Sequence, residues 1–202
     1  YDEILNINKV ILMLKEHFKV KLSSRLPVIA IYTIYQELSK TIKRYDNKIL
    51  KPLNVHTSSD KHGYGDVEIW NSNDTPFEMV EIKHNIPIDR NMIFDITKKV
   101  QGTTVLRYYI LTTSEENFTS DKEEEYINKF ILQIKKDHNL EVIANGIIQS
   151  LKYYLRFIED YNSFIINYTK NLIKDSELST EIEDFHITEW NNILKKYRLE
   201  NI

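Results

Sequence analysis

Strand-like and helical segments alternate through the middle of this chain of 202 residues, and that alternation restricts the fold more than any other feature. Five runs have the period-two pattern or the apolar composition of β-strands: residues 49–57, 66–71, 77–84, 104–112 and 141–144. Pro52 favours a sheet edge for the first of them. Two segments with helical spacing, residues 89–100 and 120–138, lie between the last three of these strand-like runs. Asp89 and Ser120 are the predicted N-caps of these helices. We therefore predict an α/β fold with a mixed sheet flanked by helices.

Both ends of the chain have helical spacing only. Apolar side chains repeat at helical intervals over residues 3–18 and 24–45, and again after Gly146. We place a domain boundary at that glycine, where the strand-like runs end. The expected organisation is an α/β core with an N-terminal helix in residues 1–146, followed by a C-terminal helical extension in residues 147–202.

Composition excludes several classes of protein. The chain has no cysteine, which rules out disulfide frameworks and cysteine-ligated zinc or iron–sulfur sites. No run of about 18 apolar residues is present, so we predict no membrane partner. No signal-peptide pattern follows Tyr1, and a cytoplasmic location is the expectation.

Charge is unevenly distributed along the chain. The formal net charge is −3, which argues against a uniformly basic nucleic-acid binder. Residues 40–61 nevertheless hold six basic side chains and two acidic ones, whereas residues 175–190 hold six acidic side chains and neither lysine nor arginine. A locally basic surface can bind a polyanion even when the total charge is negative, although solvated faces explain the same pattern.

Charged side chains lie inside the second and third strand-like runs. Residues two apart share a face of a strand, so Glu81 and Lys83 point the same way, about 7 Å apart along it. Asp66 opens the preceding strand, and a hairpin through the turn at residues 72–76 would bring it beside Glu81. The sequence therefore predicts that two carboxylates and one ammonium converge.

That combination suits hydrolysis of a phosphodiester. Two carboxylates supply the hard oxygen ligands that Mg²⁺ or Mn²⁺ prefers. A nearby ammonium can hold or help to deprotonate a water, and it can stabilise negative charge on a phosphate. The alternative is a surface strand on which Glu81 and Lys83 belong to a cross-strand ladder of opposite charges.

The segment Gly65–Trp70 followed by Phe77–His84 resembles the PD-(D/E)xK nuclease superfamily, the fold of many restriction endonucleases. The resemblance covers roughly residues 28–114, about half of the chain. The superfamily core is a helix, three antiparallel strands, a helix and a strand, and the predicted order of elements fits it. The resemblance thus implies a restriction-endonuclease-like mixed sheet, to which this chain adds its C-terminal helices.

The resemblance assigns a role to each residue of the motif. Asp66 matches the first metal-binding acid, Glu81 the second, and Lys83 the lysine. Members often carry an acid on the first core helix that reaches the metal, and Glu37 is that candidate. The proline that precedes the first acid in the superfamily is absent, and Gly65 stands in its place.

Three further sequence segments resemble restriction-type endonuclease domains associated with DNA methyltransferases: Ser24–Pro27, His56–Asp60 and Arg107–Ile110. The resemblance implies a Mg²⁺-dependent DNA endonuclease, with Mn²⁺ able to substitute, in which the Ile82 carbonyl joins Asp66 and Glu81 on the metal. Lys83 would position or activate the attacking water. The expected partners are double-stranded DNA and either a second copy of the chain or a fused or associated recognition or methyltransferase domain.

The predicted DNA contacts lie in a loop and at a helix end: Ser58, Ser59, Lys61, His62 and Lys98. Lys99 ends the same helix as Lys98, where solvation is the alternative to a phosphate contact. His56, Asp60 and His62 could instead ligate a metal. Two other functions stay open: a catalytically silent DNA- or protein-binding module of a defence system with a nuclease-like fold, and a nuclease that acts on RNA or branched DNA.

Overall fold

The structure, a computed structural model, describes residues 4–53, 63–179 and 181–199. These ranges contain five β-strands and seven α-helices, which confirms the α/β class and the mixed, open sheet. They divide into two compact units: a sheet unit, Tyr45–Ser150, and a helical unit, Tyr1–Arg44 with Leu151–Ile202. None of the helices in the described ranges is long and apolar enough to cross a membrane.

The sheet unit is built on five strands whose spatial order follows the chain: β1 (Lys48–Leu50), β2 (Val67–Asn71), β3 (Pro76–Lys83), β4 (Arg107–Thr112) and β5 (Glu141–Gly146). β1, β2 and β3 are antiparallel neighbours, whereas β3, β4 and β5 run parallel. The predicted hairpin is β2–β3, in which Val67 lies opposite Val80. β1 lies at the sheet edge, as Pro52 predicts, but it pairs over only three residues.

Two helices connect the parallel strands: α3 (Arg90–Val100) joins β3 to β4, and α4 (Asp121–His138) joins β4 to β5. Each begins at its predicted N-cap. The side chain of Asp89 accepts a backbone N–H of the first turn at 3.0 Å, and Ser120 does the same at 3.2 Å. These bonds satisfy amides that a helix leaves without internal partners, which is why both helices begin where the sequence predicts.

One face of the sheet packs against α3 and α4. On that face Met79, Tyr108 and Val142 are paired in register across β3, β4 and β5, and all three are buried. Apolar residues of the two helices, such as Ile93, complete this core. Because residues two apart in a strand share a face, Glu81 follows Met79 onto the same side, near the C-terminal end of β3.

The remaining helices are α1 (Ile7–His17), α2 (Arg25–Thr41), α5 (Ile147–Leu155), α6 (Tyr161–Leu178) and α7 (Asp184–Lys196). In the helical unit α1 packs against α7, and α2 packs against α6. This grouping differs from the predicted division at Gly146, which placed the N-terminal segment with the strands. α2 buries side chains around most of its circumference, so its sequence does not specify which element covers each side.

Two helix boundaries differ from the periodic pattern of the sequence. Helical spacing predicts a helix to about Tyr45, but α2 ends at Thr41 and a single 3-10 turn follows at Lys43–Tyr45. Helical spacing also continues from Ile147 to Ile173, yet the backbone forms two helices there. The second of them begins after Asp160, whose side chain accepts two amides of the first turn of α6.

A buried ion pair joins α2 to α6. Arg25 donates from Nε and Nη2 to the two carboxylate oxygens of Asp175, at 3.0 and 2.8 Å. The two side chains are only 8% and 5% exposed, and the hydroxyl of Ser179 also donates to Asp175. This two-point contact fixes one helix against the other within the helical unit.

His17 is buried among aromatic side chains of the helical unit. Its ring nitrogens lie 2.8 Å from the hydroxyl of Tyr168 and 2.9 Å from the carbonyl oxygen of His186. The ring of Trp190 lies 5.1 Å away between centroids. Burial lowers the pKa of His17 from 6.5 to about 4, so the folded protein holds this imidazole neutral near pH 7.

We expect His17 to lower the free energy of unfolding by about 2 kcal/mol as the pH drops from 7 to 5. The unfolded chain binds a proton at His17 near pH 6.5, whereas the folded chain binds it only near pH 4, so protonation between these values favours unfolding. Urea unfolding of the wild type and of His17→Gln at both pH values measures this contribution. Between pH 7 and pH 5 the free energy of unfolding should fall by about 2 kcal/mol less in the variant than in the wild type. An equal fall in both proteins would contradict the prediction.

Candidate functional site

Asp66 lies just before β2 begins, beside the C-terminal part of β3. Its backbone N–H donates to the carbonyl oxygen of Val80 at 2.8 Å, and its Oδ2 accepts the N–H of Ile82 at 2.7 Å. The side chain thus serves as an acceptor for β3 just beyond the last paired residue of the hairpin. The Asp66 carboxylate consequently lies next to the backbone that carries Glu81, as the hairpin predicts.

A buried carboxylate holds the turn in front of Asp66. Glu68 accepts the backbone N–H of Tyr64 at 2.6 Å, that of Gly65 at 3.3 Å, and the indole N–H of Trp70 at 2.8 Å. Gly65 lies against β3, where a Cβ would come within 2.8 Å of a backbone oxygen. A side chain at this position would push the two strands apart, so the close approach itself accounts for the glycine.

Glu81 is the centre of the polar cluster on this face of the sheet. Lys83 donates to its Oε1 at 2.9 Å, and Lys99, on the last turn of α3, donates to its Oε2 at 3.4 Å. The hydroxyl of Tyr108, from β4, lies 3.3 Å from the same Oε2. The structure therefore brings Asp66, Glu81 and Lys83 together and adds two groups that the motif alone does not specify.

The two carboxylates differ in their electrostatic surroundings. Burial and the negative charge of Glu81 together raise the pKa of Asp66 to about 6, although the Ile82 N–H and the charges of Lys83 and Lys99 act to lower it. Burial also acts to raise the pKa of Glu81, but Lys83 and Lys99 outweigh it and hold that pKa below its ordinary value. Repulsion between two carboxylates is the condition that a bound cation relieves.

Tyr108 supports this arrangement as a hydrogen-bond donor. Burial, together with the negative charges of Glu81 and Asp66, raises its pKa above the ordinary value, so its hydroxyl stays protonated. That hydroxyl contacts the carbonyl oxygen of Tyr64 as well as Glu81. Tyr108 therefore ties the turn in front of Asp66 to the carboxylate of Glu81.

The donor set fits a Mg²⁺ ion of the kind that keeps several waters. Asp66 and Glu81 provide two hard oxygen ligands close enough to repel each other. Among the described residues no group of three histidine or acidic side chains could hold a metal ion. Mg²⁺ is commonly bound by one or two carboxylates together with water and substrate phosphates, so two protein carboxylates suffice.

Glu37 has its partners within the helical unit. Its carboxylate, 8% exposed, accepts from Lys40 at 3.0 Å, from Ser163 at 3.3 Å, and from the side-chain amide of Asn167. These contacts place it in a polar seam between α2 and α6. Its contribution to a metal site stays a prediction.

The predicted DNA contacts are only partly described. Ser58, Ser59, Lys61 and His62 lie outside the described residues, as do His56 and Asp60 of the alternative metal site. Lys98 is exposed on α3, and its Nζ lies 4.3 Å from the centroid of the Phe94 ring. Its neighbour Lys99, rather than Lys98, is the lysine of that helix that reaches Glu81.

No protein-family model matches the chain, and no curated protein matches it either. The cluster formed by Asp66, Glu81, Lys83, Lys99 and Tyr108 is therefore the feature of the chain from which a function can be inferred.

Proposed function

We propose that the chain is a Mg²⁺-dependent endonuclease domain of restriction type that hydrolyses DNA phosphodiester bonds. The observation that carries the proposal is the convergence of Asp66, which directly precedes β2, and Glu81 of β3, with Lys83 bound to Glu81 at 2.9 Å. All three side chains are half-buried, and partial removal of acids and an amine from water incurs a desolvation cost that a fully exposed surface ladder would avoid.

The order of elements supports the likeness to PD-(D/E)xK nucleases. A helix, α2, precedes three antiparallel strands, β1 to β3, and these are followed by α3 and then by β4. This is the order of the superfamily core, and the acids lie at the β2–β3 hairpin as in the motif. β5 and the C-terminal helices are additions to that core.

Asp66 and Glu81 would hold the cation, with the Ile82 carbonyl as a further ligand. Bound Mg²⁺ would lower the pKa of a coordinated water and neutralise charge on the phosphate. Lys83, fixed by Glu81, would orient the attacking water and help to remove its proton. Tyr108 would keep Glu81 in place through its hydroxyl, which stays protonated because its pKa is raised and so would not act as a base.

Plasmid cleavage tests the proposal. With Mg²⁺ we expect the wild type to convert supercoiled DNA to nicked or linear DNA, and chelation to stop it. Asp66→Asn should reduce cleavage by at least about 100-fold, because the amide keeps an acceptor for the Ile82 N–H but loses the charge. Glu141→Gln is the control, since Glu141 lies at the start of β5 in a surface pair with Lys135. Equal cleavage by Asp66→Asn and Glu141→Gln would refute the assignment.

Cutting both strands of a duplex usually requires two active sites. We therefore propose that the domain acts as a homodimer or with an associated recognition or methyltransferase domain. Sedimentation of the chain with and without a DNA duplex distinguishes these arrangements, because a homodimer doubles the mass without any added protein.

A second candidate is a catalytically silent binding module of a defence system. The observation in its favour is that both carboxylate oxygens of Glu81 are already engaged by lysines, Lys83 and Lys99. Such a module would bind DNA equally well in chelator and in Mg²⁺, and it would show no heat of Mn²⁺ binding. Metal-dependent cleavage excludes it.

A further inference from the structure

The cluster at the β2–β3 hairpin is charge-balanced without a metal ion. Asp66 and Glu81 supply two acidic groups, and Lys83 and Lys99 supply two ammoniums, both of which donate to Glu81. A divalent cation that takes an oxygen of Glu81 therefore competes with at least one of the two lysines. The lysine that the cation displaces from Glu81 becomes available to contact another group.

The two lysines are not equivalent. Lys83 lies 2.9 Å from Glu81, two residues away on the same strand, and its side chain is 28% exposed. Lys99 lies 3.4 Å from Glu81, reaches it from a different element, and is 42% exposed. The longer and more exposed contact is the weaker one, since solvent screens it more strongly.

We infer that Lys99 is a second functional lysine: it occupies Glu81 Oε2 while no cation is bound, and it binds a phosphate of the DNA substrate once a cation takes that oxygen. The inference rests on the proposed function. After the exchange, a divalent cation and two ammoniums face two carboxylates, so the cluster carries an excess positive charge. A phosphodiester beside the cluster supplies the matching negative charge, and the released ammonium of Lys99 is a suitable donor to it.

The chain offers a closely matched control for Lys99. Lys135 of α4 forms a pair with Glu141 at 3.5 Å and is 43% exposed, against 3.4 Å and 42% for Lys99 with Glu81. Substitution of either lysine by alanine removes one ammonium that is paired with a glutamate, at a similar exposure and within the sheet unit. Only the removal of Lys99 changes the site of Asp66 and Glu81.

Titration calorimetry with Mn²⁺, without DNA, tests the first half of the inference. Lys99→Ala should bind Mn²⁺ about three- to tenfold more tightly than the wild type, because a competitor for Glu81 has been removed. Lys135→Ala should bind as the wild type does. Lys99→Arg, which keeps the positive charge, should return the affinity close to that of the wild type.

Duplex affinity tests the second half, in a Lys83→Ala background in which cleavage is slow enough for binding to be measured. With Mn²⁺ present, Lys99→Ala should weaken binding and reduce the slope of log K against log salt by about 0.9, the value for one lost phosphate contact. In chelator the same substitution should leave duplex affinity unchanged, because Glu81 then holds Lys99.

The outcomes separate the inference from the function on which it rests. Absence of Mn²⁺ binding by the wild type would overturn the proposed function and the role of Lys99 together. Mn²⁺ binding by the wild type, with Lys99→Ala indistinguishable from Lys135→Ala in both assays, would overturn the role of Lys99 alone.

Discussion

Lys83→Ala is expected to slow Mg²⁺-dependent DNA cleavage by about 10²- to 10⁴-fold, the range that a positioned acid–base group contributes. The ammonium of Lys83 is held at 2.9 Å by Glu81 and is therefore fixed near the carboxylates that would bind the cation. Its loss removes the group that would orient the attacking water, whereas Asp66 and Glu81 remain. Single-turnover cleavage rates at saturating protein measure the effect on the chemical step.

Lys51→Ala is the control for that measurement. Lys51 follows β1 in the sheet unit, and its ion pair with Asp74 is as short, at 2.8 Å, but Asp74 lies in a turn and is 78% exposed. We expect the Lys51→Ala variant to cleave DNA within about threefold of the wild-type rate, since exposed ion pairs contribute little to stability. A Lys83→Ala rate as high as that of Lys51→Ala would show that the water is positioned by another group.

Asp175→Ala is expected to lower the free energy of unfolding by about 3 kcal/mol, at the lower end of the range for breaking a buried ion pair. The substitution removes both hydrogen bonds that Arg25 makes to this carboxylate, in a site where the two side chains are 8% and 5% exposed. Glu181 lies 3.9 Å from the guanidinium and compensates in part, which places the expected loss at the lower end. Urea unfolding at pH 7 measures it.

Glu177→Ala on the same helix is the comparison, because Glu177 is exposed two residues from Asp175. Its effect should stay within about 0.5 kcal/mol of zero, as for most surface substitutions. Similar losses in the two variants would mean that the buried pair contributes no more to stability than an exposed acid does.

The strands and crossover helices were predictable because their signals are local. The period-two runs of β2 and β3, and the caps Asp89 and Ser120, each depend on residues within a few positions of one another. The grouping of α1 and α2 with the C-terminal helices was not predictable. It depends on contacts between segments more than 100 residues apart, such as Arg25 with Asp175, and single-sequence periodicity contains no information about them.

The candidate site shows the same division between local and distant information. Asp66, Glu81 and Lys83 could be placed together because a hairpin and a two-residue period relate them. Tyr108 carries no sequence signal beyond that of a buried strand, because its contact with Glu81 depends on the register of β3 against β4. Lys99 could be placed at a helix end but not against Glu81, because the rotation of α3 over the sheet determines which of two adjacent lysines reaches that carboxylate.

Mn²⁺ titration of the wild type, Asp66→Asn and Glu81→Gln by calorimetry determines whether the two carboxylates form one metal site. We expect saturable binding by the wild type, and binding at least about tenfold weaker in both variants, because each removes one of two charged ligands. Glu141→Gln should bind as the wild type does. No saturable binding by the wild type, or equal binding by all four proteins, would show that Asp66 and Glu81 do not form a metal site.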